Sequence, residues 1–200
     1  MIENWNIDLF TLLNAAPNAP GWSITIARLL AAWPVWGACG IVIFLWVRGV
    51  RDGRAALVAT GFALLISLTS AFCITLLWPH PRPAQLELGQ QYLFHVAEPS
   101  FPSDHVTFLL TIAFGFMASS VLRCWGGIVL MLAVGTAWAR VYVGIHFPFD
   151  MLGALGLAVI STVIANFSEP VLTRYILPLI EKMYNTVVRM LHLPPSIFPR

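Results

Sequence analysis

The chain has 200 residues, of which 58% are hydrophobic and only 10% are charged, and its formal net charge is +2. A soluble domain carries about a quarter charged residues, so this composition, with a mean hydropathy of +0.80, points to a polytopic membrane protein. The small net charge makes no case for a nucleic-acid partner, and the three cysteines, Cys39, Cys73 and Cys124, show no paired spacing. They give neither a metal motif nor a disulfide framework and are expected to be small apolar packing residues.

In chain order, residues 1–20 contain Glu3 and Asp8 but no Lys or Arg. They lack the basic region of a cleavable signal and are expected to stay on the mature protein. Residues 7–13 suit a short interfacial helix. Apolar stretches then recur at about 22–47 (interrupted by Arg28 and Pro34), 55–78, 104–121, 125–143 and 148–167. Each approaches or exceeds the roughly 20 residues that cross about 30 Å of hydrocarbon. A sixth stretch, 171–193, mixes apolar residues with Glu181, Lys182 and Arg189. It suits either a last span or an amphipathic interfacial helix. The expectation is an all-α membrane bundle of five to six transmembrane helices forming one domain over 1–200.

Basic residues orient the bundle. Arg48, Arg51 and Arg54 share the first short loop, which should face the cytoplasm. Residues 79–103 and 144–147 then fall outside, while Arg123 and Arg174 fall inside. Lys182, Arg189 and Arg200 belong to the ambiguous tail. Arg82 and Arg140 remain on the outer side, with Arg28 near the outer end of the first helix, so these arginines require another job.

The unusual polar residues gather at that outer surface from three distant stretches. Pro79-His80-Pro81-Arg82-Pro83 cannot continue a helix and sets Arg82 in a stiff extended lip. In Pro102-Ser103-Asp104-His105, Ser103 suits an N-cap, and the free N–H groups behind it suit an anion. In the third stretch, Arg140 to Asp150, Pro148 starts a helix that brings Asp150 within reach of His146. Two arginines, two histidines, a helix start and one aspartate suit phosphoryl transfer without a metal or other cofactor. Arginines hold phosphate oxygens bidentately, one histidine attacks phosphorus while the aspartate fixes its tautomer, and the other protonates the leaving oxygen. No second carboxylate accompanies Asp150 in that third stretch, against a two-metal site.

Blander readings exist for each residue alone. Arg82 suits a headgroup anchor, Arg140 a snorkelling side chain, His105 an ordinary helix-start residue, and Ser103 and Asp150 structural caps. The conjunction favours function, because ionisable groups at a membrane are costly. His80, His95 and His192 are read as interfacial, Glu87 and Glu98 as parts of a solvated loop. Trp5, Trp22, Trp36, Trp46, Trp78, Trp125 and Trp138 are read as belt or packing residues.

The three blocks, Arg82-Pro83, Pro102-Ser103-x-His105 and Arg140-x5-His146-x3-Asp150, resemble the type 2 phosphatidic acid phosphatase superfamily in order and internal spacing. The resemblance implies a six-helix bundle in which His146 becomes a phosphohistidine and His105 acts as acid and then base. It also implies phosphate contacts from Arg82, Ser103 and Arg140, with Asp150 orienting His146; the backbone N–H at Asp104 is a further candidate. The chain departs from the pattern at three places: the lysine position is Thr75, the glycine of the second block is Asp104, and the serine of the third is Ala139. Arg28 is the expected substitute for the charge missing at Thr75, and both are candidate phosphate-binding residues. Ser100 to His105 and the opening Asn14-Ala15-Ala16-Pro17 resemble the bacitracin-resistance branch, the undecaprenyl diphosphate phosphatases. That branch implies a polyprenyl diphosphate substrate, hydrolysed at the outer face of a bacterial cytoplasmic membrane to recycle the lipid carrier for cell-wall synthesis. Alternatives are a phosphatase for phosphatidylglycerophosphate, phosphatidate or lipid A, a lipid-phosphate transporter, or an inactive relative. The oligomeric state is left open.

Overall fold

The computed structural model describes residues 2–49, 51–94, 98–194 and 197–198. His95 and Arg200, assigned above to the interface and the tail, lie outside them. The helices are α1 (Ile2–Leu13), α2 (Gly21–Ala32), α3 (Pro34–Arg48), α4 (Arg51–Leu77), α5 (Asp104–Ala118), α6 (Arg123–Tyr142), α7 (Pro148–Val171) and α8 (Leu177–Met190). A 3₁₀ turn (Pro83–Leu86) follows α4, and a π turn (Leu172–Ile176) joins α7 to α8.

The all-α class and the membrane character hold, but the expected five to six transmembrane helices do not. Among the described residues, three helices are long and apolar enough to cross a bilayer: Gly53–Leu77, Arg123–Tyr142 and Pro148–Met190. A fourth span results if α2 and α3, bent by 43° at Pro34, count as one. Pro34 brings no N–H to the helical ladder and starts α3 at its first turn, which breaks the first apolar stretch. Helix α5 has 15 residues, about 22 Å at 1.5 Å per residue, short of a 30 Å core. The fifth and sixth stretches are a single run of 43 helical residues. Pro170 lies inside it, and the π turn just beyond absorbs the irregularity without ending the helix. That run exceeds any bilayer, so α8, with Glu181, Lys182 and Arg189, continues past the span.

Helix α5 is the axis of the bundle, packed by α4, α6 and α7. Val106, Leu109, Ile112, Ala113 and Phe116 on it are buried, joined by Val129 and Ala133 of α6 and by Ala154 and Ala158 of α7. A short central helix enclosed by longer ones can be apolar all round. Large apolar residues such as Phe72, Leu76, Met131, Ile160 and Phe167 point outward, as a lipid-facing surface requires. Trp5, Trp22, Trp36 and Trp78 are exposed. Cys73 and Cys124 are also exposed, and only Cys39 is partly packed, so the packing role expected of the cysteines fails for two of them.

Candidate active site

The site forms where the end of α4, the start of α5, the end of α6 and the start of α7 meet. Past Leu77 the prolines at 79, 81 and 83 hold the chain extended, with Arg82 at φ −80° and ψ 158°. Gln85 Oε1 accepts the Arg82 backbone N–H at 2.7 Å, fixing the lip. The Arg82 side chain is buried and donates to the carbonyls of Glu98 (2.8 Å), Ile145 (2.8 Å) and Pro99 (3.3 Å). Burial pulls its guanidinium below the usual range, opposed by the carboxylates of Asp150, Glu98 and Asp104.

Arg140 lies in the last turn of α6, also buried, and Nη1 donates to the Ala31 carbonyl of α2 at 2.9 Å. The chain then turns sharply at Gly144, φ +80°, where a Cβ would collide with the Gln90 carbonyl and crowd Asn14 Nδ2. Only glycine meets both demands. The turn delivers His146 back against Arg140, and Pro148 opens α7 so that Asp150 sits one turn on.

His146 is enclosed. Its Nδ1 lies 2.9 Å from Asp150 Oδ2, while Nε2 faces Arg82 Nη1 at 3.2 Å and Arg140 Nη2 at 3.1 Å. Arginines only donate, so Nε2 is the lone-pair nitrogen and the ring proton is on Nδ1, donated to Asp150. Burial holds the imidazole down at about 3, helped by Arg140 and Arg82 and opposed by the Asp150 hydrogen bond and charge. The ring is therefore a neutral base whose lone pair points at two cations.

Ser103 occupies the N-cap position of α5, but its side chain makes no capping bond. The buried Ser103 Oγ has no hydrogen-bond partner, and neither does Arg140 Nε. Its backbone N–H donates to the Asp150 carbonyl at 3.4 Å. The expected cap is thus a cap in position only, with its hydroxyl left for something else. Asp104 is exposed and His105 half-buried in the first turn of α5. Two buried guanidiniums, a buried hydroxyl and a helix start form a donor set suited to a tetrahedral oxyanion. Among the described residues no group of three or more His, Cys, Asp or Glu side chains is placed to hold a metal ion.

Two of the expected site residues stand apart from this cluster. Thr75 turns its hydroxyl to the Phe101 carbonyl at 3.3 Å and buttresses the second block. Arg28 is exposed, its Nε donating to the Tyr92 carbonyl at 2.6 Å. His80, expected at the interface, is half-buried. Its ring lies edge-on to Phe147 with centroids 5.8 Å apart, and Nε2 is 3.6 Å from Glu3.

Two residues escaped the sequence reading. Asn14 bridges the 90s loop and the end of α6 through the Tyr142 and Gln90 carbonyls and the Gln90 N–H. Ser100 donates to Asp150 Oδ2 at 2.9 Å. Both lie inside stretches quoted above for resemblance alone, and a lone Ser or Asn in a loop gives no further signal.

Known proteins supply the context for this geometry. The sequence profile of the PAP2 superfamily matches residues 54–169. YbjG of Escherichia coli (strain K12), provisionally named an undecaprenyl-diphosphatase, is 40% identical over 156 residues, 78% of each chain. Undecaprenyl-diphosphatase BcrC of Bacillus subtilis (strain 168) is 29% identical over 157 residues, 78% of this chain and 79% of that one. In fold, the crystal structure of Aquifex aeolicus LpxE superposes with a TM-score of 0.63 at 22% identity, covering 80% of this chain and 94% of the other. The profile spans more than half of the sequence and takes in Arg82, His105, Arg140, His146 and Asp150, so the chain belongs to the PAP2 superfamily of phosphatases and is related to its bacitracin-resistance, undecaprenyl-diphosphatase branch.

Proposed function

We propose that this membrane lipid phosphatase hydrolyses undecaprenyl diphosphate to undecaprenyl phosphate and inorganic phosphate, without a metal, through a phosphohistidine at His146. The observation that carries the reading is the position of His146 Nε2, a lone pair held between two guanidiniums while Nδ1 is tied to Asp150. A phosphate drawn to those cations meets the nucleophile at the same point. Arg82, Arg140, Ser103 Oγ and the backbone N–H at Asp104 hold the terminal phosphoryl oxygens. The Nε2 lone pair forms the N–P bond as the bond from phosphorus to the bridging oxygen breaks. His105 gives its proton to the departing lipid phosphate. It then takes a proton from water, whose oxygen attacks phosphorus as the N–P bond breaks, and phosphate leaves with His146 neutral again.

The polyprenyl diphosphate is assigned from the relationship to BcrC, named for that reaction, together with the Ser100 to His105 variant of the second block. Arg28 is assigned the second phosphate. It lies one turn before Ala31, whose carbonyl accepts Arg140, and an Arg28→Met variant should raise KM for the diphosphate several-fold. We put the site on the outer side, a reading supported by Arg51 and Arg54 at the opposite end of α4 and Arg48 at the end of α3.

Phosphate release from undecaprenyl diphosphate by purified protein in detergent and EDTA, beside His146→Ala and a panel of other lipid phosphates, tests the whole reading. Turnover that favours the diphosphate and vanishes in the variant is expected. Preference for another lipid would replace the substrate, dependence on a divalent cation would overturn the mechanism, and tight binding without turnover would favour a transporter.

A further inference from the structure

We infer that Ser100 is a positioning residue, holding the Asp150 carboxylate in the rotamer that aims His146 at phosphorus. The inference rests on the reading of His146 as nucleophile. Asp150 Oδ2 receives three donors, each at 2.9 Å: His146 Nδ1, the Phe147 backbone N–H and Ser100 Oγ. The first two come from the same turn as Asp150 and move with it. Ser100 is the donor from outside, fifty residues away, and it is fully buried. The terminal torsion of an aspartate is soft, so a carboxylate held from one side only can swing and carry the imidazole with it.

The Ser100 hydroxyl is not needed to hold its own segment. The Ser100 N–H donates to the His80 carbonyl at 2.7 Å, the Phe101 carbonyl accepts Thr75 Oγ1 at 3.3 Å, and the Ser103 N–H reaches the Asp150 carbonyl at 3.4 Å. The Phe101 ring also packs so closely on Gly153 that a Cβ there would strike it. With the backbone fixed at these points, the hydroxyl acts on the carboxylate. It also ties the segment that leads to Ser103 and His105 to the turn that carries His146, so acid and nucleophile share one frame.

Steady-state kinetics of Ser100→Ala, Ser100→Thr, Asp150→Asn and the Ser100→Ala/Asp150→Asn double variant test this, with His146→Ala as control. Ser100→Ala should lower kcat about tenfold, by analogy with the partners that orient metal-ligating histidines, with KM within about twofold. Ser100→Thr, which keeps the hydroxyl, should recover most of the loss. The decisive readout is non-additivity: a residue acting only through Asp150 has nothing left to orient in the Asp150→Asn background, so the double variant should match Asp150→Asn. Rates are referred to folded protein, so that a loss of fold in Ser100→Ala is not counted as a loss of kcat. Parent-level kcat in Ser100→Ala, or losses that multiply in the double variant, would overturn the inference. Turnover surviving in His146→Ala would instead bring down the reading beneath it.

Discussion

The two ends of the bundle each bury arginine, and they treat it differently. At the end bearing the α3–α4 turn, Arg54 is answered from within the chain. Its Nη1 pairs with Glu181 at 3.4 Å, Nε donates to the Trp46 carbonyl at 3.3 Å, and the guanidinium lies 5.3 and 5.0 Å from the Trp46 and Tyr184 ring centroids. At the other end Arg82 and Arg140 are as deeply buried, yet among the described residues neither has a salt bridge to a carboxylate. Their donors rest on carbonyls and on a neutral imidazole, and Arg140 Nε has no partner. A buried charge is costly unless it is paired. Arg54 joins α4 to α8, whereas Arg82 and Arg140 carry no carboxylate partner among the described residues.

The largest effect should come from the group that both site arginines face. His146→Ala should lower lipid phosphate turnover by at least about a thousandfold, and Asp150→Asn by about a hundredfold or more, since both tautomer and ring orientation are lost. Phosphate-release assays check both. Arg140→Met should cost about a hundredfold or more in kcat/KM while leaving thermal stability equal or higher, because a cation that repels Arg82 is removed. Arg54→Met should do the reverse. Breaking its pair and its ring contacts should cost about 2 kcal/mol, below the usual 3–5 for a fully buried pair because Glu181 keeps some contact with solvent, with kcat unchanged. Unfolding in detergent with and without inorganic phosphate sharpens the contrast. Phosphate should stabilise the parent and Arg54→Met but not Arg140→Met. Equal protection of all three would erase the distinction between the two ends.

The clustering of Arg82, Arg140, His146 and Asp150 was far more legible in the sequence than the count of spans. Arg140, His146 and Asp150 fall within eleven consecutive residues, where a helix end, one glycine and a proline-started helix nearly determine the geometry. Arg82 was legible because prolines restrict its neighbours. Span counting failed because apolar length does not reveal enclosure. Helix α5 is as apolar as a span but reaches only 15 residues, being surrounded by longer helices. The join of α7 to α8 was hidden because Pro170 reads as a terminator, and only the π turn shows how the helix continues. Arg54 read as one of three loop charges, whereas α4 begins three residues earlier and Arg54 packs inside it. Ser100 is a long-range contact with no local pattern to announce it.

The smallest expected effect follows from protons and separates the two ends by a different route. Burial and the two arginines hold His146 at about 3 in the folded protein, against about 6.5 for an exposed histidine. Between those values the unfolded chain binds a proton that the folded chain refuses. The stability owed to a neutral His146 is therefore complete above about pH 6.5 and declines as pH falls toward 3, at about 1.4 kcal/mol per pH unit. Unfolding followed from pH 7 to pH 5 should show this slope in the parent and a flatter one in His146→Gln, which keeps a neutral polar side chain. Arg54→Met should lower the whole curve without changing its slope. Parallel slopes in parent and His146→Gln would mean that His146 takes up its proton in the folded state near the ordinary value, and a charged imidazole between Arg82 and Arg140 would have no lone pair with which to attack phosphorus.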